Sequence, residues 1–194
     1  MDGPLEGCVK KWLMLIFEHL VREKWISWLA LERLITSFPY KGKDANNKPI
    51  LSSKKMKQKV SRKIVGTFSE ISCLLRSLTQ IMFDHIKNPQ DEFWMWLLAI
   101  RKFLRFMLMP EITESQLNSM NETLENVMNT RMRLTRVTNI NNSKSKKKKG
   151  CKKKVQKYNP PIIWKEHNLS HFMEDVRNLG PLVLLNTDMF EQKV

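Results

Sequence analysis

Apolar residues recur at intervals of three and four between Leu5 and Leu134, which is the pattern of amphipathic helices. The first stripe runs from Leu5 to Val21. A second runs from Lys24 to Ser37 and ends before Pro39, because the residue before a proline is pushed out of the helical region. The inward positions predicted for these two helices are Leu5, Val9, Trp12, Leu13, Ile16, Phe17, Leu20, Trp25, Trp28, Leu29, Leu31, Leu34 and Ile35.

Capping signals mark three more helices. Thr67-Phe68-Ser69-Glu70 and Thr113-Glu114-Ser115-Gln116 have the form of capping boxes, in which a hydroxyl and an acidic or amide side chain satisfy the first orphan amides. The first box opens a helix that ends near His85, and the second opens one that fades near Leu134. Between them, Pro89 and Asp91 start a helix that continues to Pro110, with Phe93, Trp96, Leu97, Ile100, Phe103, Leu104 and Met107 facing inward.

Two segments lack this periodicity. Residues 40–63 contain the turn sequence Asn46-Asn47-Lys48-Pro49 and then a basic stretch, and we predict a loop there that leads into a helix. Residues 139–157 are a low-complexity, lysine-rich run whose like charges repel, so this run is predicted to be disordered. After it, a short helix is expected from Asn168 to Leu179, with Gly180 as its cap.

These patterns predict a mainly α fold, a small helical bundle of about five to six helices with a disordered lysine-rich loop. The predicted organisation is a helical bundle at 1–138 that includes the basic loop 40–63, a lysine-rich linker at 139–158, and a short helix and tail at 159–194 that pack on the bundle.

The formal charge of +15 is concentrated in two places. Residues 41–63 hold nine Lys or Arg and one acid, and residues 144–157 hold nine Lys and no acid, so they carry +8 and +9. The remaining 16 basic and 18 acidic residues leave a balance of −2. An anionic partner would therefore meet two charged segments on a nearly neutral body.

The cysteines and the hydropathy of the chain indicate in which cellular compartment the protein is expected. Cys8, Cys73 and Cys151 are odd in number and contain no CxxC pair, so neither a disulfide framework nor a structural zinc site is expected, and free thiols suit a reducing compartment. The apolar runs are far shorter than the ~20 residues that span a bilayer, and the chain opens on no signal-peptide pattern. A soluble intracellular protein without a membrane partner is expected.

The lysine run is the strongest functional signal, because clustered cations displace counterions from nucleic acid. Its structural alternative is a solvated charged linker. The stretch from Lys54 to Lys63 carries the same hypothesis, and a solvated helix face is an equally good interpretation of it. The candidate nucleic-acid-binding residues are Lys54, Lys55, Lys57, Lys59, Arg62, Lys63, Lys144, Lys146, Lys147, Lys148, Lys149, Lys152, Lys153 and Lys154.

Other chemistry has less support in the sequence. His167 and His171 share a helix face near Glu174 and Asp175, but no third ligand at useful spacing is evident, so no metal site is predicted. No Gly-rich phosphate loop or Ser/His/Asp arrangement occurs. The Trp and Phe residues lie at helical spacing, which favours core packing over base stacking. No cofactor is expected.

A series of short motifs runs through nearly the whole chain. In order they are Asp2-Gly3-Pro4-Leu5-Glu6-Gly7, Asn47-Lys48-Pro49-Ile50, Ser69-Glu70-Ile71-Ser72-Cys73-Leu74-Leu75-Arg76, Trp96-Leu97-Leu98-Ala99-Ile100-Arg101, Pro110-Glu111-Ile112-Thr113-Glu114-Ser115-Gln116-Leu117, Lys165-Glu166-His167-Asn168-Leu169-Ser170-His171-Phe172, Gly180-Pro181-Leu182 and Met189-Phe190-Glu191. In this order the series resembles the C-terminal half, a helical insertion and its flanks, of DDE-type, ribonuclease-H-like transposases of cut-and-paste DNA transposons of invertebrates.

The resemblance implies a transposase with an all-helical insertion before its last acidic residue. Glu191 matches the family's terminal acid. The family's His-Asp pair precedes the motif that here reads Leu5-Glu6-Gly7, and its place reads Asp2-Gly3-Pro4. Asp2 and Glu191 are therefore the candidate catalytic acids, whereas a two-metal nuclease needs more acids that converge from a central sheet. The strands that would carry the first acid have no counterpart in this chain.

The sequence thus predicts a transposase-derived, catalytically incomplete protein, not an enzyme by itself, that binds nucleic acid non-specifically through its lysine-rich segments. One alternative is a protein-interaction or oligomerisation module, as a homo-oligomer or with a larger transposase-like partner. The other is a residual Mg²⁺-dependent nuclease subunit. The expected location is the nucleus, with the cytoplasm as the alternative.

Overall fold

The computed structural model describes residues 4–56, 59–145, 171, 174 and 176–178. It is mainly helical, as predicted, and contains a two-stranded antiparallel sheet. Short 3-10 turns lie at Gly42–Asn46 and Phe83–His85. The longer elements, in chain order, are α1 (Pro4–Arg22), α2 (Trp28–Ser37), β1 (Ile50–Met56), β2 (Lys59–Val65), α3 (Phe68–Ile81), α4 (Glu92–Met107) and α5 (Glu114–Ser145).

Both predicted capping boxes form. Thr67 accepts from the Glu70 amide while the Glu70 carboxylate accepts from the Thr67 amide at 2.6 Å. At the start of α5, the Gln116 side chain accepts from the Thr113 amide at 2.8 Å, and the Thr113 hydroxyl accepts from the Gln116 amide at 3.3 Å. These reciprocal bonds satisfy amides that have no partner within the helix, and so they define where α3 and α5 begin.

The core is built from the predicted stripes. Every inward position predicted for α1 beyond Leu5, whose side chain is not described, is buried, and so is every one predicted for α4. Trp12 of α1 and Trp96 of α4 lie with their ring centroids 6.1 Å apart. α2 fits less well: Leu31 and Ile35 are buried, but Leu29 is 57% exposed.

Residues 1–104 and 105–194 form two compact units. In the first unit, α1 contacts α3 and β2, and α2 contacts α3 and β1. In the second unit, the buried side chains of α5 include Leu117, Met120, Leu124 and Val127. The described residues of the predicted C-terminal helix, among them His171, Glu174 and Val176, are helical, and the Arg177 guanidinium lies 3.4 Å from the Glu114 carboxylate.

α5 extends further than predicted. The sequence was expected to lose helical structure near Leu134 and to be disordered from Asn139, whereas the helix continues to Ser145. No glycine or proline occurs between Glu114 and Ser145, and each residue added to an existing helix gains a backbone hydrogen bond without a new nucleation step.

The prediction of a loop leading into a helix at 40–63 was wrong. The chain passes through a 3-10 turn and then forms the antiparallel pair β1–β2. Because strand pairing joins residues as far apart as Ile50 and Val65, it depends on contacts that a local pattern does not reveal. None of the described helices combines the length and the hydropathy that a membrane span requires.

Candidate nucleic-acid interface

The base of the hairpin is apolar and holds it against the helices. Its first two rungs pair Ile50 with Val65 and Leu51 with Ile64. Ile64 is only 4% exposed, whereas Ile50 is 59% exposed. Since β2 contacts α1 and β1 contacts α2, Ile64 provides the buried anchor at the base, and the remaining rungs extend from that base.

The next five rungs each pair one basic residue with one uncharged residue. We call these rungs the basic ribbon. The pairs are Ser52 with Lys63, Ser53 with Arg62, Lys54 with Ser61, Lys55 with Val60, and Met56 with Lys59. No acidic residue occurs anywhere between Ile50 and Val65. The basic ribbon therefore carries five positive charges over about 17 Å of strand, at about 3.4 Å per residue.

The register keeps the cations of the basic ribbon from pairing with each other. Like charges directly opposite on neighbouring strands destabilise a sheet, and no rung of the ladder joins two basic residues. Lysines in an edge strand also discourage edge-to-edge association of sheets. That protective role is the structural alternative to a binding role for the same residues, and only a binding measurement separates the two.

The chain leading into β1 is tied to α2 and α3. The buried Tyr40 hydroxyl donates to the Ile35 carbonyl oxygen at 3.0 Å, and the Arg76 guanidinium donates to the Asp44 carboxylate. Burial, followed by the nearby Cys73 and Asp44, raises the pKa of Tyr40 to about 12. Burial and then Asp44 likewise raise the pKa of the Cys73 thiol, so this cysteine is a poor nucleophile at neutral pH.

The chain leaving β2 is tied to α3 through a glycine. Gly66 has a φ of 150°, and a Cβ atom at this position would lie 2.6 Å from a carboxylate oxygen of Glu70. That carboxylate is part of the Thr67 capping box. A side chain at residue 66 would therefore displace the Glu70 carboxylate from the capping box or require the backbone to move.

The structure brings together part of the predicted interface. Lys54, Lys55, Lys59, Arg62 and Lys63 share the basic ribbon. Lys144 lies in the last turn of α5. The other candidates, Lys57, Lys146–Lys149 and Lys152–Lys154, lie outside the described residues, as do Asp2, Glu191, His167 and Asp175. His171 and Glu174 are exposed helical residues.

A buried histidine cluster was not predicted from the sequence. His19 Nε2 lies 3.0 Å from Asp91 Oδ2, and Arg22 Nη2 lies 3.0 Å from His19 Nδ1. An arginine can only donate, so Nδ1 accepts and Nε2–H donates to Asp91. The other Asp91 oxygen accepts from the Phe93 and Trp94 amides at 3.0 Å.

With both ring nitrogens engaged, His19 ties the end of α1 to the start of α4 and is structural. The signal in the sequence was Asp91, the acidic residue just before α4, but its buried partner His19 lies 72 residues away in the chain. Among the described residues, no group of three His, Cys, Asp or Glu side chains is arranged to hold a metal ion.

Comparison with protein-family models, with curated proteins and with solved structures found no significant match to this chain.

Proposed function

We propose that this protein binds nucleic acid through electrostatic contacts and with low sequence specificity. The observation that carries the proposal is the basic ribbon, in which five consecutive rungs each present one cation and none presents an acid. Clustered cations bind the phosphate backbone by releasing condensed counterions, a term that does not depend on base sequence. Phosphate contacts position a protein but do not read bases, which is why low specificity is expected.

The lysine run supports the same function as a second contact segment. It contributes nine lysines between residues 144 and 157, and its first lysine continues from the last turn of α5. The transposase-like motif order is consistent with an origin in a DNA-processing protein. A catalytically incomplete, transposase-derived protein that acts in the nucleus is part of this proposal.

The salt dependence of binding tests the proposal. Anisotropy of a labelled duplex is measured with the full chain between about 50 and 200 mM NaCl, and each phosphate contact contributes about −0.9 to the slope of log K against log salt. The ribbon alone would give a slope of about −4.5. A slope near zero, or no binding at the lower salt concentration, would refute the proposal.

Matched variants locate the contacts. Lys54→Gln, Lys55→Gln and Lys59→Gln together remove three charges from the basic ribbon, so the slope should become shallower by about 2.7. The control combines Lys102→Gln, Arg105→Gln and Arg133→Gln, which remove three charges from exposed positions on α4 and α5. The control should retain the slope of the parent chain. Equal losses in both variants would mean that net charge, and not the ribbon, sets the affinity.

A second candidate function is self-association. It is favoured by a shallow groove on α2 that is lined by Leu29, Glu32, Arg33, Thr36 and Ser37, in which Leu29 is 57% exposed. Light scattering with the parent chain and with Leu29→Gln tests it. An oligomer that Leu29→Gln dissociates would support this function, and a parent chain that is monomeric at all concentrations would eliminate it.

A further inference from the structure

We infer that the basic ribbon docks in the major groove of duplex DNA, and that it discriminates this ligand from single strands and from duplex RNA. The inference rests on the proposed function and deepens it, because it names the ligand class and the mode of docking. It follows from the shape of the hairpin that carries the charges, because charge alone does not determine which groove a segment fits.

The secondary structure of the segment determines which groove it fits. A helix that carried these lysines could also enter the major groove. The structure instead shows a two-stranded antiparallel ribbon. The major groove of B-form DNA, about 12 Å wide and about 8.5 Å deep, admits a two-stranded β-ribbon. The minor groove is about half as wide, and the major groove of A-form RNA is deep and too narrow for side chains to read.

The composition of the ribbon argues against single strands as the ligand. Proteins that bind single strands stack the bases on aromatic side chains, each worth about 1–3 kcal/mol per base. The hairpin from Ile50 to Val65 contains no Phe, Tyr, Trp or His. It can contact phosphates but offers no stacking platform, so its affinity should depend on the spacing of phosphates along a duplex.

The attachment of the ribbon supports docking as a rigid unit. Ile64 is buried at its base, the capping box of α3 follows it after Gly66, and the Arg76–Asp44 ion pair holds the turn before it. Pre-organised cations lose less conformational freedom on binding than cations on a flexible chain. The lysine run is expected to contribute affinity without discrimination, because contacts between lysines and phosphates carry no sequence information.

A competition experiment tests the inference. The full chain is titrated at several salt concentrations between about 50 and 200 mM with a DNA duplex, an RNA duplex of the same sequence, and one strand of the DNA duplex alone. We expect binding to the DNA duplex to be about tenfold tighter than to either other ligand. Equal affinity for the three ligands, with a steep salt slope for each, would overturn the inference and leave the proposed function intact. No binding to any of them would refute both.

A charge-preserving variant separates ribbon shape from ribbon charge. Ser53→Pro combined with Ser61→Pro retains every lysine and arginine. The two residues lie on adjacent rungs, which alternate between hydrogen-bonded and non-hydrogen-bonded types, so one of the prolines removes a ladder donor.

We expect this variant to retain the salt slope on single strands and to lose the preference for the DNA duplex. A variant that keeps the preference, with far-UV circular dichroism showing that its helices are intact, would overturn the inference. Lys54→Gln, Lys55→Gln and Lys59→Gln provide the comparison, because they reduce charge with the ladder unbroken.

Discussion

Lys24 terminates α1 in a conformation that glycine normally supplies. Its φ is 58°, in the left-handed region. The Trp25 amide donates to the Leu20 carbonyl oxygen at 2.9 Å, and the Lys24 amide donates to the Val21 carbonyl oxygen at 3.1 Å. These two bonds define a Schellman motif, and Leu20 and Trp25, which occupy the positions of its usual hydrophobic contact, are both buried.

Replacing Lys24 with glycine should therefore stabilise the protein. The left-handed conformation costs a residue with a Cβ about 1–2 kcal/mol, and part of this gain is offset by the greater freedom of glycine in the unfolded chain. We expect Lys24→Gly to raise the free energy of unfolding by about 0.5–1 kcal/mol in urea titrations. Lys24→Val should lower it, since a β-branched residue suits this conformation least. A lower stability for Lys24→Gly than for the parent chain would contradict this account.

Tyr40 should make the free energy of unfolding fall as the pH becomes alkaline. Its pKa is raised from 10.0 to about 12 by burial first, and then by Cys73 and Asp44. Below pH 10 the phenol is protonated in the folded and unfolded states alike. Between about 10 and 12 the unfolded chain has released the proton while the folded chain retains it, so the folded state loses stability as pH rises.

The expected loss across this pH window is about 2 kcal/mol. It is measured as the urea midpoint against pH, alongside the phenolate absorbance. Tyr40→Phe has no titrating hydroxyl at this position, so its stability should fall less steeply in the same window. Parallel curves for Tyr40→Phe and the parent chain would show that another group is responsible.

At the scale of elements, the junction between β2 and α3 couples the hairpin to the helical body. A Cβ atom at residue 66 would lie 2.6 Å from a Glu70 carboxylate oxygen, so the Glu70 side chain would have to move. The positive φ of Gly66 is also strained for any other residue. The same carboxylate accepts from the Thr67 amide at 2.6 Å. A change at Gly66 therefore disturbs both the backbone and the capping box.

We expect Gly66→Ala to lower the free energy of unfolding by about 1–3 kcal/mol, from backbone strain and the displaced cap. Gly42→Ala is the matched control. Gly42 also has a positive φ, of 60°, but nothing lies within 4 Å of a Cβ built there. Gly42→Ala should therefore lower the free energy of unfolding through backbone strain alone. Equal losses for the two variants in thermal unfolding would show that the contact with Glu70 has no energetic role.

For the molecule as a whole, self-repulsion opposes folding chiefly where residues 41–63, with a balance of +8, are held together in the folded unit. The described ion pairs offset little of it, because exposed pairs such as Arg22–Glu23 contribute about 0–1 kcal/mol. Added salt screens repulsion among the exposed cations. Stability should consequently rise with ionic strength instead of falling.

We expect the melting temperature to increase by about 2–4 °C between low and physiological ionic strength, which corresponds to about 1 kcal/mol for a chain of this length. The variant with Lys54→Gln, Lys55→Gln and Lys59→Gln should respond less, because part of the repulsion has been removed. A melting temperature that falls as salt is added would mean that attractive pairs outweigh the repulsion.

Much of the helical architecture could be read from local signals. The periodic apolar positions of α1 and α4 were predicted to be buried and are, and both Thr-initiated caps were predicted from four-residue motifs. These features depend on neighbours within one helical turn. The candidate interface was predicted only as a set of lysines and Arg62 in two segments, because positive charge is a property of composition.

The order of the amino acids alone specifies where α3 and α5 begin, which faces of α1 and α4 are apolar, and where positive charge accumulates, because each depends on residues close together in the chain. Tertiary contacts set the exposure of Leu29, the meeting of His19 with Asp91, and the pairing of the basic segment as a ribbon with one cation on each of five rungs. None of these follows from a helical repeat: His19 and Asp91 lie 72 residues apart, and strand pairing is stabilised by cross-strand packing and burial more than by local preference.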